Sequence, residues 1–376
     1  LRTGENFHAT NASLIEHDSR VKLQGFADYA ELAPLVRFRH HPGNAEIAKL
    51  MARDRNISTS LDIRLQMRAT KALEDHLAKA HKEKGAVVVM DPASGDVLAM
   101  VSEPRTEQMD RARYAQYPPG STFKLVTAMA ALRLDPKLAG KSFSCQRLPG
   151  GRVGAIIPGV HKPIRDDVGD SAHGRLSMER AIVVSCNAYF AQLGVYSVGP
   201  QALSDTAKVL EIPAGSVADL RAAMPFAAYG QGPVLVTPFK MARVAATIAA
   251  AGSMPEGRWV IDSSNARSSP PRPILEPNLA AFLARAMRSV VLQGTARRAM
   301  KGEAVSVAGK TGTAQLDEGM PHSWFAGFAP YDGDRTKSIA FAVVVEHGGY
   351  GGTTAAPIAR EVVDAASELG LIGKKE

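Results

Sequence analysis

YPPGSTFKLVTAMAALRL, from Tyr117 to Leu134, is the stretch on which the reading of this chain turns. Pro118-Pro119-Gly120 breaks whatever precedes it, because proline fixes φ and lacks an N–H while glycine opens backbone conformations closed to other residues. The run after the break is rich in Ala, Leu and Met and predicts a buried helix starting at or beside Ser121. Positions i and i+3 share a helix face, so Ser121 and Lys124 lie together. A serine hydroxyl is a poor nucleophile until a neighbour takes its proton. Lys124 can be that neighbour if burial at a positive helix terminus lowers its pKa. The free N–H groups of the first turn can help hold an oxyanion.

Upstream, Leu61, Leu65, Ala69, Ala72, Leu73 and Leu77 recur at helical spacing between Thr59 and Ala80. GAVVVMD (Gly85 to Asp91) and DVLAMVS (Asp96 to Ser102) flank the turn Pro92-Ala93-Ser94-Gly95 and predict a β-hairpin. Downstream, 135–175 is Gly/Pro-rich and reads as loop, 176–252 as mainly helical, and 253–277 as Ser/Pro/Arg-rich loop. A helix is predicted from about Pro277 to Leu292. Strands follow over Ala304 to Gln315, His322 to Asp332 and Ser338 to His347, then a helix from about Ala355 to Leu369. The order predicts an α+β fold: a central antiparallel sheet of about five strands flanked by helices, with an inserted all-helical subdomain at about 135–290. Residues 1–55 read as an N-terminal linker or pedestal fragment, 56–370 as one catalytic domain and 371–376 as a tail.

The chain has 376 residues, 45% hydrophobic and 22% charged, an ordinary globular balance. Its net charge of +8 comes without a Lys/Arg block interleaved with aromatics, so nucleic acid is not an expected partner. Cys145 and Cys186 are the two cysteines and read as free thiols. No apolar run reaches the ~18 residues of a membrane span, and the chain begins at Leu1 rather than Met. With neither His-Glu-x-x-His nor Cys-x-x-Cys present, no metal or other cofactor is expected, and His40, His41 and His173 read as surface or structural.

Ser-x-x-Lys also occurs at Ser19 and Lys22, without a Pro/Gly break or a following buried helix, and reads there as surface coincidence. Lys310-Thr311-Gly312-Thr313 lies in a strand pattern and offers a cation, hydroxyls and a closely approachable backbone, which suit a carboxylate and a carbonyl oxygen. Ser-x-Asn occurs at Ser185-Cys186-Asn187 and at Ser263-Ser264-Asn265. The first lies between two predicted helices, where side chains are held rigidly, and is preferred to the copy in the loop.

Ser-x-x-Lys, Ser-x-Asn and Lys-Thr-Gly in this order are the signature of β-lactamases and penicillin-binding proteins. With the flanks HGRLSMERAIVVSCNAYF (His173 to Phe190), AYGQGPVLVTPFKMA (Ala228 to Ala242), AGKTGTA (Ala308 to Ala314) and SWFAGFAP (Ser323 to Pro330), the chain resembles the penicillin-binding transpeptidases over about residues 56–370. The resemblance implies catalytic roles for Ser121, Lys124 and Ser185: nucleophile, general base and proton relay to the leaving amine. It implies substrate binding by Asn187, Lys310, Thr311, Gly312 and Thr313, with an oxyanion hole from the Ser121 and Thr313 N–H groups. The implied substrates are peptidoglycan stem peptides, the inhibitors β-lactam antibiotics, and the partners a membrane glycan polymerase and other cell-wall machinery. With no room for a fused polymerase, the resemblance is to the monofunctional, class B type. That type works outside the cytoplasmic membrane on an N-terminal anchor, here expected upstream of Leu1.

Several rivals remain open at this point. A D,D-carboxypeptidase or endopeptidase would share these motifs, because water and amine acceptors cannot be told apart from them. A β-lactamase or lactam sensor is a further alternative; no glutamate has Asn four residues on, against a class A β-lactamase, and Asn187 and Gln231 stand against class D. A scaffold with a decayed site is opposed by the intact motifs.

Overall fold

The structure, a computed structural model, describes residues 19–107, 109–261, 269–333 and 336–373. Amphipathic spacing builds α1 (Ile63–Lys79), whose Leu65, Ala69, Leu73 and Leu77 form one buried stripe. Asp62 caps it by accepting from the Arg64 and Leu65 N–H groups. The expected hairpin follows as β1 (Gly85–Met90) and β2 (Val97–Glu103). Then α2 (Lys124–Leu134) is buried on every side from Lys124 to Leu132, as a helix without a polar face must be. Ser121 lies just before it, in the 3₁₀ turn Gly120–Phe123.

The insert differs from the sequence expectation. It is not all-helical: β3 (Ser142–Arg147), β4 (Val153–Ala155), β5 (Ile164–Arg165) and β6 (Gly174–Ser177) form a small antiparallel sheet in the order β5-β4-β3-β6. These strands are short and partly exposed, with glycines between them, so neither length nor alternation marked them. Helices follow as α3 (Met178–Val184), α4 (Asn187–Leu193), α5 (Gly199–Val209), α6 (Val217–Ala227), α7 (Pro238–Ala249) and α8 (Pro277–Gln293). Sequence reading did not single out α6; it carries Pro225 inside it, which argues against a helix locally.

The chain closes with β7 (Ala308–Ala314), β8 (His322–Ala329), β9 (Ile339–Val345) and α9 (Ala355–Glu368). The main sheet has five antiparallel strands in the order β7-β8-β9-β1-β2. β1, β8 and β9 are buried at every position. Helices α1 and α9 pack on one face, and α7, adjoined by α8, packs on the other. At about 1.5–3 kcal/mol for each fully buried Val, Ile or Phe, this sandwich is a stiff platform. Its edge strand β7 lies against the 3₁₀ turn of Ser121. Between residues 19 and 55 the described chain forms short helices such as Ala33–Arg37 and Ala45–Met51, with no buried residue in either.

Candidate active site

Three segments from distant parts of the sequence meet at the β7 edge. The first is the Pro-Pro-Gly turn. Trp324 on β8 is fully buried and its Nε1 donates to Pro118 O (3.1 Å), while Thr122 Oγ1 donates to Pro119 O (2.8 Å). Gly120 has φ +52, and a Cβ there would sit 2.6 Å from Thr313 O. Gly312 faces the same turn: a Cβ on it would lie 2.8 Å from Trp324 Cβ and 2.9 Å from Thr122 Cγ2. Both glycines let the serine turn and the Lys-Thr-Gly strand touch backbone to backbone.

The second segment joins α3 to α4. Ser185 is the C-cap of α3 in the left-handed region (φ 60, ψ 37), which aims its side chain and carbonyl at α2. Lys124 Nζ lies 2.9 Å from Ser121 Oγ, 2.7 Å from Asn187 Oδ1 and 3.2 Å from Ser185 Oγ, and also contacts Ser185 O. Four oxygens therefore surround a group with at most three hydrogens. In its neutral form the amine can donate to Ser185 O and Asn187 Oδ1 and accept the Ser121 hydroxyl proton on its lone pair.

The third segment is β7. Lys310 Nζ donates to Ser185 Oγ (2.8 Å) and Thr311 O (2.9 Å). Thr311 Oγ1 lies 2.5 Å from Thr295 Oγ1, a contact that sequence reading missed. Ser121, Ser185, Asn187 and Thr313 remain partly exposed around the junction, so a substrate can reach them. All eight residues named from the sequence come together here. The decoys do not. Lys22 turns outward to Asp54 (2.5 Å), and Ser19, expected on the surface, is buried away from this cleft. Ser263 and Asn265 lie outside the described residues.

Burial sets the electrostatics. Lys124 is fully buried, and desolvation pushes its pKa down to about 8 despite the opposing charges of Asp166 and its neighbours. Lys310 is also fully buried and is held well below its ordinary value, first by desolvation and then by the Lys124 charge. At pH 7.5 a lysine of pKa about 8 is roughly one quarter neutral, against about 0.1% for an unperturbed one. That difference of over two orders of magnitude separates a usable base from a spectator. Phe190 and Tyr229 wall the amine, their ring centroids 5.9 and 6.0 Å from Nζ.

Behind Asn187 stands a residue that no sequence motif marked. Asp166 is buried, and its Oδ1 accepts from the N–H groups of Asn187 (2.5 Å) and Ala188 (3.1 Å) at the start of α4. Burial works against its charge, but hydrogen bonds from His173, Cys145 and Cys186 outweigh that and hold its carboxyl well below the usual range. Sequence reading expected no metal; these four side chains nevertheless offer donor atoms all within 4.8 Å of one another.

Residues 85–364 match the family described as the penicillin binding protein transpeptidase domain. The chain is 29% identical over 371 residues to a peptidoglycan D,D-transpeptidase PbpA of Mycobacterium tuberculosis, covering 83% of this chain and 72% of the relative. It is 28% identical to a peptidoglycan D,D-transpeptidase MrdA of Haemophilus influenzae, over 82% of this chain and 56% of the relative. Among solved structures, a ceftriaxone acyl-enzyme complex of M. tuberculosis penicillin-binding protein A superposes with TM-score 0.70 at 25% identity, over 93% of this chain and 91% of that one. A chain from a peptidoglycan synthase complex superposes with TM-score 0.71 at 28% identity, over 85% of this chain and 64% of that one. The match spans both the sheet and the three converging segments, and the chain belongs to the penicillin-binding-protein transpeptidase family.

Proposed function

We propose that this chain is a peptidoglycan D,D-transpeptidase that works through an acyl-enzyme on Ser121. The observation that carries the reading is the buried Lys124 amine, 2.9 Å from Ser121 Oγ with its pKa near 8. Neutral Lys124 takes the Ser121 proton as Oγ attacks the penultimate D-alanine carbonyl of a stem peptide. The oxyanion is met by the N–H groups of Ser121 and Thr313, whose backbones the glycine contacts draw together. Ser185 Oγ stands between Lys124 and Lys310 and passes the proton to the departing D-alanine amine. Lys310 supplies positive potential, and Thr311 and Thr313 hydroxyls receive the terminal carboxylate. Asn187 holds Lys124 and hydrogen-bonds the peptide. An amine of a second stem peptide then displaces Ser121 and forms the cross-link.

A β-lactam presents a strained amide to the same serine, so it acylates the site and stays. The relatives are cell-wall enzymes. No described helix is long and apolar enough to cross a membrane. An anchor preceding Leu1, an extracytoplasmic site of action and a separate glycan-polymerase partner complete the proposal. The experiment is incubation with a stem-peptide substrate ending in D-alanyl-D-alanine plus an amine acceptor. Release of D-alanine together with an acceptor adduct is expected; release with hydrolysis alone would make the chain a carboxypeptidase.

A further inference from the structure

We propose that Cys145, Asp166, His173 and Cys186 bind a structural zinc ion that clasps the Ser185–Asn187 segment onto the small sheet of the insert. The only two cysteines of the chain, 41 positions apart, meet at this one point. Cys145 Sγ lies 3.0 Å from Asp166 Oδ2 and 3.4 Å from His173 Nδ1. Cys186 Sγ lies 3.1 Å and His173 Nδ1 3.3 Å from the same Asp166 oxygen. Tetrahedral zinc, with bonds of about 2.0–2.3 Å, places its ligand atoms about 3.3–3.8 Å apart. The cluster is thus already close to the shape of a filled site and needs only small adjustments to close on an ion.

The donor chemistry selects the ion. Thiols are weak hydrogen-bond donors, and two of them converging with an imidazole on one carboxylate oxygen is an unusual way to satisfy that carboxylate but a natural set of metal ligands. Two thiolates, one imidazole and one carboxylate suit zinc far better than calcium or magnesium, which take oxygen. On binding, both thiols and the Nδ1–H of His173 give up their protons to solvent, and His173 coordinates through the Nδ1 lone pair so freed. The site is buried, with all four positions filled by protein, which marks it as structural rather than catalytic.

Position gives the clasp its consequence. The ligands come from β3 (Cys145), the residue after β5 (Asp166), the residue before β6 (His173) and the αL turn between α3 and α4 (Cys186). Cys186 is flanked by Ser185 and Asn187, both of which contact the Lys124 amine. Asp166 serves two ends at once, Oδ2 toward the cluster and Oδ1 on the Asn187 N–H. The ion therefore makes Asp166 and Cys186 positioning residues for Lys124, and none of the four touches substrate.

The test begins with metal content, which does not depend on catalysis or on the reading of Ser121. The full chain, expressed with added zinc and dialysed, is expected to retain about one zinc per chain by elemental analysis. Cobalt added to chelator-stripped protein is expected to give thiolate-to-cobalt charge-transfer absorption and tetrahedral visible bands. Cys145→Ser should weaken zinc by more than about 100-fold and Cys145→Asp should restore part of it. Stripping zinc should lower the melting temperature and slow acylation by fluorescent penicillin, with recovery on adding zinc back. Less than a tenth of an ion per chain together with no cobalt spectrum would overturn the proposal. So would a Cys145–Cys186 disulfide in freshly prepared, unoxidised protein. Metal binding without labelling would leave the zinc site standing and count against the function alone.

Discussion

Ser-x-x-Lys occurs twice in this chain, and the two copies end up in opposite environments. Ser19 precedes, and Lys22 lies in, a five-residue helix of the N-terminal region; the lysine is half exposed and pairs with Asp54 in solvent. Ser121 and Lys124 stand at the head of a helix buried on all sides, against the edge of a five-stranded sheet. Spacing is identical; what differs is desolvation and convergence. Lys22 stays in contact with water, whereas burial lowers the Lys124 pKa to about 8 and leaves that amine neutral often enough to accept a proton. A motif becomes chemistry only where the fold removes water and brings the second and third segments within hydrogen-bond reach.

The sharpest way to break this contrast is to remove each serine in turn. Ser121→Ala should abolish covalent labelling by fluorescent penicillin, a loss of at least about 10⁴-fold, as for other serine nucleophiles. Ser19→Ala should leave labelling untouched. The lysines come next: Lys124→Ala should slow acylation by about 10²–10⁴-fold, the usual contribution of a general base, while Lys22→Ala should do nothing.

A smaller effect lies in the pH profile. The acylation rate should rise about tenfold per pH unit below about 8 and flatten above it, as Lys124 loses its proton. The same shift acts on stability. Lys124 binds its proton less tightly folded than unfolded, so its burial costs most below pH 8. That cost is relieved between about 8 and the ordinary 10.5, and the melting temperature of an otherwise matched Lys124→Met protein should lack this rise. Smallest of all is the effect of Ser19→Ala on folding. A hydroxymethyl becomes a methyl, the hydroxyl makes no hydrogen bond among the described residues, and the unfolding free energy should move by no more than about 1 kcal/mol.

Much of this was legible in the sequence because the chemistry sits in short contiguous motifs. Ser121 with Lys124, Ser185 with Asn187, and Lys310 to Thr313 each carry their spacing within four residues. The five strands of the main sheet were legible for a related reason: long apolar runs such as Ile339 to Val345 leave little else to be. What was missed is tertiary. Asp166 and Thr295 act through contacts with Asn187 and Thr311 that no local pattern encodes. The strands between Ser142 and Ser177 are two to six residues long, and their pairing rather than their composition makes them strands. His173 read as surface or structural, and the structure places it part-buried against Asp166; the grouping of these side chains is what spacing does not show, because they arrive from separate turns and strands.

The most direct measurement is intact-mass analysis of the chain after brief exposure to benzylpenicillin, followed by peptide mapping. The expected result is one adduct of the full inhibitor mass on the peptide containing Ser121, persisting long after free inhibitor is removed and absent from Ser121→Ala. An adduct on any other residue, or one surviving in Ser121→Ala, would contradict the account.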